Sequence, residues 1–298
     1  MNNIISTVFI SLLFILLSCN TKSTKQDVKI INDSVIPKGA IPFEYDNKLK
    51  RAILIYGTLN DSIQLKYWLE TGGVSMTFSD SLASDFEKKE MYKVQKTMKV
   101  QIGHLKQVYG DSVNAYYGDK DHFIFKWLGY DIAILPWQFF DGKIIEISFS
   151  KKYIRELYNV NCLSGYDSVK IELQNGFLGI PVVISLKDKK IREKLLIDTG
   201  SNGDISFENN IVYKYNIKSD SAFFRKNHTP NGLDSSFYFY SDTIRIGRFF
   251  VTEGHYVSFS FKRKYPFSGI IGNKVLDNFD IVLDLKDYFL YLKPVEKQ

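Results

Sequence analysis

Two short stretches carry the residue types needed for acid–base chemistry. In one, an apolar run ends in Asp198-Thr199-Gly200-Ser201, where a strand would leave the core and turn. An aspartate on such a turn can have its carboxylate held by backbone N–H groups and by the Ser201 hydroxyl, while Gly200 permits a close approach. In the other, Gln64 to Leu69 leads into Glu70-Thr71-Gly72-Gly73. Two acids brought to about 3 Å cannot both ionise, so one proton is shared. The charged member can then take a proton from water as it attacks a carbonyl carbon, and the protonated member can polarise the carbonyl oxygen. That chemistry needs no metal, cofactor or nucleophilic side chain. Asp-Thr-Gly-Ser is also ordinary turn chemistry, so its surroundings must decide between the two uses.

Other chemistries find little support. His104, His122, His228 and His255 lack metal-ligand spacing, and H-E-x-x-H, C-x-x-C, G-x-S-x-G and phosphate-loop patterns are absent. No metal and no cofactor is expected. Cys162 reads as a small packed residue, with no histidine near it in sequence. The net charge of +6 comes from 39 basic and 33 acidic residues that are interspersed. The densest basic runs, Leu186 to Lys194 and Phe261 to Tyr265, have acidic or aromatic neighbours and read as solvated strand edges. No nucleic-acid partner is expected.

The elements that must position the two acids are strands. With 45% hydrophobic and 15% aromatic residues among 298, the chain can bury one large β core or two moderate ones. Ala52 to Leu59, Gln64 to Leu69, Asp121 to Leu128, Ile180 to Leu186, Ser235 to Ile246 and Phe279 to Leu285 are short, rich in β-branched and aromatic residues, and bounded by turn residues. Helical spacing is confined to Asp80 to Tyr92 and Ser150 to Leu157. The fold class is all-β with minor helix. Ala52 to Ala83 aligns with Val182 to Ile211, and Ala133 to Ile154 aligns with Gly269 to Leu292. The intervals Glu70 to Pro136 and Asp198 to Gly272 are both roughly seventy residues, so two copies of one β unit explain the length.

Asp198 to Ser201 after an apolar strand, with Ile270-Ile271-Gly272 downstream and the whole order repeated, resembles the aspartic proteases. The likeness extends to retropepsin-like, pepsin-like and bacterial lipoprotein members, over nearly all of the chain beyond residue 40. It implies two homologous β lobes, residues 41–160 and 161–298, with a peptide-sized cleft between them. Asp198 and Glu70 would be the catalytic pair, Thr199 and Thr71 would bond across to the opposite loop, and Gly72, Gly200 and Ser201 would support the loops. Gly272 would lie beside Asp198. A hairpin would fold over the cleft, drawn from Lys226 to Tyr240 in one half and Gln107 to Phe123 in the other. The partner is a peptide or protein substrate, and the lobes pair within a monomer; a homodimer joining two Asp198 loops would have to outcompete that tethered pairing.

One half departs from the family pattern. Glu70 stands where the family has Asp, moving the carboxyl group by about 1.3 to 1.5 Å unless the turn retreats, and about 1 Å can cost a hundredfold in rate. Gly73 lacks the hydroxyl of Ser201, and Ile134-Leu135-Pro136 replaces the Ile-Ile-Gly element. Two readings follow: a peptidase with a Glu70/Asp198 dyad, or a catalytically weak or inactive lipoprotein that binds peptides on a protease scaffold.

The N-terminus has its own signal. The apolar segment Ile4 to Leu17 matches a signal-peptide core better than a membrane span, and Leu16-Leu17-Ser18-Cys19 resembles a bacterial lipobox. That likeness implies a signal peptide of residues 1–18, an acylated Cys19 held in a membrane, and a polar tether over residues 19–40. Met1-Asn2-Asn3 lacks the usual Lys or Arg, and an uncleaved anchor is the alternative. Asn20 is not the aspartate that retains some lipoproteins at the inner membrane, which favours an outer-membrane site facing the periplasm. If the lipobox reading is right, Cys19→Ser abolishes incorporation of labelled fatty acid and releases the chain from the membrane fraction; labelling that survives the substitution removes the anchor.

Overall fold

Alternation of apolar and polar side chains turns most of the chain into strand. The computed structural model describes residues 36–46, 51–79, 88–90, 93–94, 98–109, 115–118, 132–161, 163–208, 210–217, 222–229, 232–252, 256–260 and 266–296. Cys19, Cys162 and the segments 1–18 and 19–35 lie outside these residues. Strand outweighs helix by 59% to 7%, an all-β chain with minor helix.

The first half contains β1 (Ile41–Glu44), β2 (Leu54–Leu59), β3 (Ile63–Glu70), β4 (Met76–Ser79), β5 (Lys88–Glu90) and β6 (Lys93–Val94). It continues with β7 (Met98–Ile102), β8 (Leu105–Tyr109), β9 (Ala115–Gly118), β10 (Ile132–Pro136), a 3-10 turn (Trp137–Phe140), β11 (Ile144–Ser148) and β12 (Tyr153–Leu157). The second half opens with β13 (Asp167–Lys170), β14 (Glu172–Gln174), β15 (Phe177–Leu186), β16 (Lys189–Asp198), β17 (Ile205–Glu208) and helix α1 (Asn210–Lys214). Next come β18 (Phe223–Thr229), β19 (Gly232–Tyr240), β20 (Thr243–Ile246), β21 (Phe249–Thr252) and β22 (Tyr256–Ser260). The chain closes with β23 (Gly269–Gly272), helix α2 (Asn273–Leu276), β24 (Phe279–Asp284) and β25 (Phe289–Pro294).

Strand pairing repeats in the same order. β3 runs parallel to β10 with Glu70 opposite Pro136, and β16 runs parallel to β23 with Asp198 opposite Gly272. The far sides of β10 and β23 take β4 and β17 antiparallel, and these in turn take β9 and β22 parallel. Hairpins β5–β6 and β18–β19 attach to β9 and β22. Each half then turns through a short helix into an antiparallel strand pair, β11–β12 and β24–β25. The halves meet where β11 pairs antiparallel with β24, Ile145 opposite Leu283. Both side chains are buried, so this seam belongs to the main core.

Several sequence expectations need correction. Ser150 to Leu157 is not a helix: Lys152 takes φ +56°, which breaks any helical run, and β12 then pairs with β11 and β1. Tertiary pairing overrides local propensity there, and Tyr153 and Ile154 are buried as a result. Within Asp80 to Tyr92, residues 88–90 are strand; residues 80–87 and 91–92 lie outside the described residues. Ser235 to Ile246 splits into β19 and β20 around Ser241 and Asp242. The basic run over Lys189 to Lys194, by contrast, is an edge as expected: β16 pairs there with β15 alone, the Tyr215 hydroxyl meets the Arg192 backbone on the open side, and β23 joins only from Leu196. In the first half the strand pair matching β18–β19 is β5–β6, upstream of the Gln107 to Phe123 segment. Asp121 to Leu128 and Phe261 to Tyr265 lie outside the described residues.

Because β11–β24 joins the halves within one core, Ile145→Ala is expected to destabilise the protein by about 2–5 kcal/mol. Urea unfolding should keep a single transition for the variant; two separate transitions would mean that the halves fold independently.

Candidate functional site

The two acid-bearing loops lie against each other. Thr71 Oγ1 donates to Ile197 O at 2.7 Å and accepts from Thr199 N at 2.9 Å. Reciprocally, Thr199 Oγ1 donates to Leu69 O at 2.9 Å and accepts from Thr71 N at 3.1 Å. Both threonines are fully buried, so none of these four bonds competes with solvent.

The glycines fix the positions of the acids. A methyl group on Gly72 would lie 2.5 Å from Asp198 Cγ, and one on Gly200 would lie 2.5 Å from Glu70 Cγ. Each acid thus packs over the opposite loop's glycine, which no larger residue could replace without displacing it. The same point on Gly200 is 3.0 Å from Glu70 Cδ and 3.1 Å from Asp198 Oδ1. The two carboxyl groups therefore approach within about 6 Å, a range at which like charges affect each other's ionisation.

The extra methylene of Glu70 is not absorbed by the backbone. Glu70 Cγ occupies over Gly200 the place that the Asp198 carboxyl carbon occupies over Gly72, and the Glu70 carboxyl carbon stands one bond farther out. A Cβ on Gly73 would lie 3.4 Å from Glu70 Cδ, an ordinary contact, so space alone does not require glycine there. Asp198 is held differently: its Oδ1 accepts from Gly200 N at 2.9 Å and from Ser201 N at 3.1 Å, and only 6% of the residue is exposed. Glu70 is half-buried.

Gly272 stands directly behind the Asp198 loop. A Cβ on it would meet Gly203 O at 2.5 Å and the Ser201 carbonyl and hydroxyl oxygens at 2.9 Å, so this position must be glycine. Pro136 occupies the matching register in the first half.

Sequence reasoning missed a second set of contacts between the halves. Asn273, next after Gly272, donates through Nδ2 to Thr199 O at 2.6 Å and to Arg51 O at 2.5 Å. Trp137, next after Pro136, donates through Nε1 to Gly176 O at 2.8 Å. Arg51 and Gly176 each lie three residues before corresponding positions of β2 and β15, and both have positive φ. Each half thus supplies a left-handed turn whose carbonyl is taken by the residue behind the other half's acid loop. The Asn175-Gly176 turn was the one visible signal for this. Arg51 also forms an ion pair with Asp277, which accepts from Tyr45 Oη at 3.0 Å. Burial, reinforced by the Asp277 charge, pushes the Tyr45 phenol above its ordinary range.

Two apolar patches, separate from the main core, flank the acids. Leu196 and Ile270, paired two residues before Asp198 and Gly272, join Phe267 and Phe177. Trp68 and Ile134, paired two residues before Glu70 and Pro136, join Ala52, Ile132 and Leu54. Of the histidines, His104 is exposed, His122 and His255 lie outside the described residues, and nothing is described of the His228 side chain. Among the described residues no group of three His, Cys, Asp or Glu could hold a metal, and no helix is long and apolar enough to cross a membrane.

No protein-family model matches this chain, and a search of curated proteins finds no match.

The threonine network sets the next expectation. Thr199→Val leaves Leu69 O and Thr71 N buried without their partner, a cost of about 2–4 kcal/mol. Thr71→Val should cost a similar amount, and the double variant less than the sum in denaturant unfolding. Strictly additive losses would mean that the two hydroxyls act independently.

Proposed function

We propose that this protein is a bilobal aspartic peptidase, with lobes over residues 41–160 and 161–298 and a Glu70/Asp198 dyad that hydrolyses peptide bonds. The reading is carried by the reciprocal Thr71–Thr199 network, which clasps two acid-Thr-Gly loops so that each carboxyl group packs on the other loop's glycine. One carboxyl group, ionised, accepts a proton from water attacking the peptide carbonyl; the other, protonated, donates to the carbonyl oxygen. Asp198, fixed by two backbone N–H groups, suits the ionised role. The buried apolar clusters at Leu196 and Trp68 would back the strand ends that carry the two acids. The hairpin β18–β19, with β5–β6 as its counterpart, is the candidate flap.

A second reading, a peptide-binding protein with little or no hydrolysis, is favoured by one observation: the Glu70 carboxyl group stands a bond beyond its counterpart. Displacement on that scale costs about a hundredfold in rate. In both readings the chain acts as a monomer, since the paired loops belong to one chain. We further infer that an acylated Cys19 holds it in a bacterial envelope, on the outer membrane facing the periplasm.

Peptide-library cleavage between about pH 4 and 6, a range in which one of two neighbouring carboxyls carries the shared proton, separates the readings. Under the peptidase reading, wild type cleaves, Asp198→Asn does not, and Glu70→Asp cleaves as well or better. Cleavage by Glu70→Asp alone identifies a binding protein whose hydrolytic site has decayed. Cleavage indifferent to Asp198→Asn rejects the dyad.

A further inference from the structure

We propose that the outer face of β16 is a docking strip for an acidic segment of a peptide chain. The proposal rests on the reading of Asp198 as part of a peptide site, because the strip and Asp198 share one strand. The register between β15 and β16 is continuous from Leu186 opposite Lys189 to Gly179 opposite Leu196. Side chains therefore alternate without a break: Ile191, Leu195 and Ile197 enter the core, and Lys190, Arg192, Lys194, Leu196 and Asp198 share the other face. Arg192 is opposite Val183, which is opposite Arg245, which is opposite Phe250, so one row across four strands reads cation, apolar, cation, aromatic. Phe250 is 64% exposed.

The charges on this face do not cancel. Lys194 pairs with Glu172, both half-exposed, whereas among the described residues Lys190, Arg192 and Arg245 have no acidic partner. Beside Arg192 and Lys194 lies an open pocket of about 530 Å³, lined also by Pro181, Val183, Pro266 and Phe267 and by the acids Glu172 and Glu193, which Lys194 and Lys214 neutralise. Phe267 belongs to the apolar patch beside Asp198, and its ring lies where a side chain on Gly179 would be. The buried apolar cluster beside Asp198 thus borders the pocket through Phe267.

A peptide fits this surface better than other anions. Cations on alternate residues of a strand are about 7 Å apart, the repeat of same-side residues in an extended chain, and Lys194 is about 13 Å along the strand from Asp198. The apolar floor accepts side-chain methylenes, and Glu172 at the rim repels a dense polyanion such as nucleic acid. A chain leaving the acids would pass over the side chains that cover Leu196 and then place two or three carboxylates against Lys194, Arg192 and Arg245.

The test measures binding and does not depend on hydrolysis. The full chain carrying Asp198→Asn is titrated, by fluorescence anisotropy, into a labelled decapeptide with Leu-Phe at its centre and Asp-Glu-Asp at one end, and into its Asn-Gln-Asn counterpart. The acidic peptide should bind at least tenfold more tightly in low salt, and the advantage should shrink in high salt. Arg192→Glu with Arg245→Glu should remove the difference while leaving the neutral peptide's affinity unchanged; Arg192→Gln with Arg245→Gln, a milder change, should reduce it. Equal affinities, no binding of the acidic peptide, or a preference that survives both double variants overturns the proposal. So does displacement of the acidic peptide by phosphatidylglycerol vesicles or oligothymidylate at a lower concentration of charge than unlabelled acidic peptide requires. A peptide preference without cleavage by the wild type would remove the hydrolytic reading and leave the strip; cleavage without the preference would do the reverse.

Discussion

Everything at the site depends on two hydroxyl groups that reach across to each other's backbone. Thr71 and Thr199 each donate to a strand carbonyl of the opposite half and accept the opposite threonine's N–H. In a fully buried position such bonds have no water to replace them, so the geometry is nearly rigid. The distance between the acids is set by this clasp and by the two glycines, rather than by any contact between the carboxyl groups themselves.

Around the clasp the structure is redundant. Trp137 and Asn273 tie each half's short helix to a turn of the other half. The β11–β24 seam then adds β24, β25 and β13 of the second half to the first half's sheet. Loosening the halves would break the threonine bonds, the turn contacts and the seam together. The loop geometry is therefore supported by contacts beyond the clasp itself. The two halves differ at Glu70, Gly73 and Pro136, which stand where the second half has Asp198, Ser201 and Gly272.

The repeat was legible because it rests on pattern: strand, acid-Thr-Gly, strand, and an apolar element roughly seventy residues on. The parallel pairing of Glu70 with Pro136 and of Asp198 with Gly272 follows the sequence alignment residue for residue. The helix expected at Ser150 to Leu157 failed because its local spacing suits either element, and only the partner strand β11 decides. The grip on Gly176 and Arg51 was invisible because a backbone carbonyl leaves no mark in sequence. The cations of β16 were legible as an edge, since β23 joins the strand only from Leu196 onward; the row that Arg192 forms with Arg245 was not, because it depends on how β15 pairs with β20.

The seam also has a bearing on how such a chain can diverge. In a symmetric homodimer both acid loops are encoded once, so a change at one is imposed on the other, and a double Glu site would have to work at the first step. Here the equivalent loops are written twice, at Glu70 and at Asp198, in two sheets of one chain whose halves share the β11–β24 seam. One copy can keep its fixed aspartate, hydrogen-bonded glycine loop and backing Gly272 while the other drifts in length and shape. A covalently joined pair can therefore explore asymmetric chemistry, one acid rigid and one extended, that two identical subunits could never reach by single substitutions.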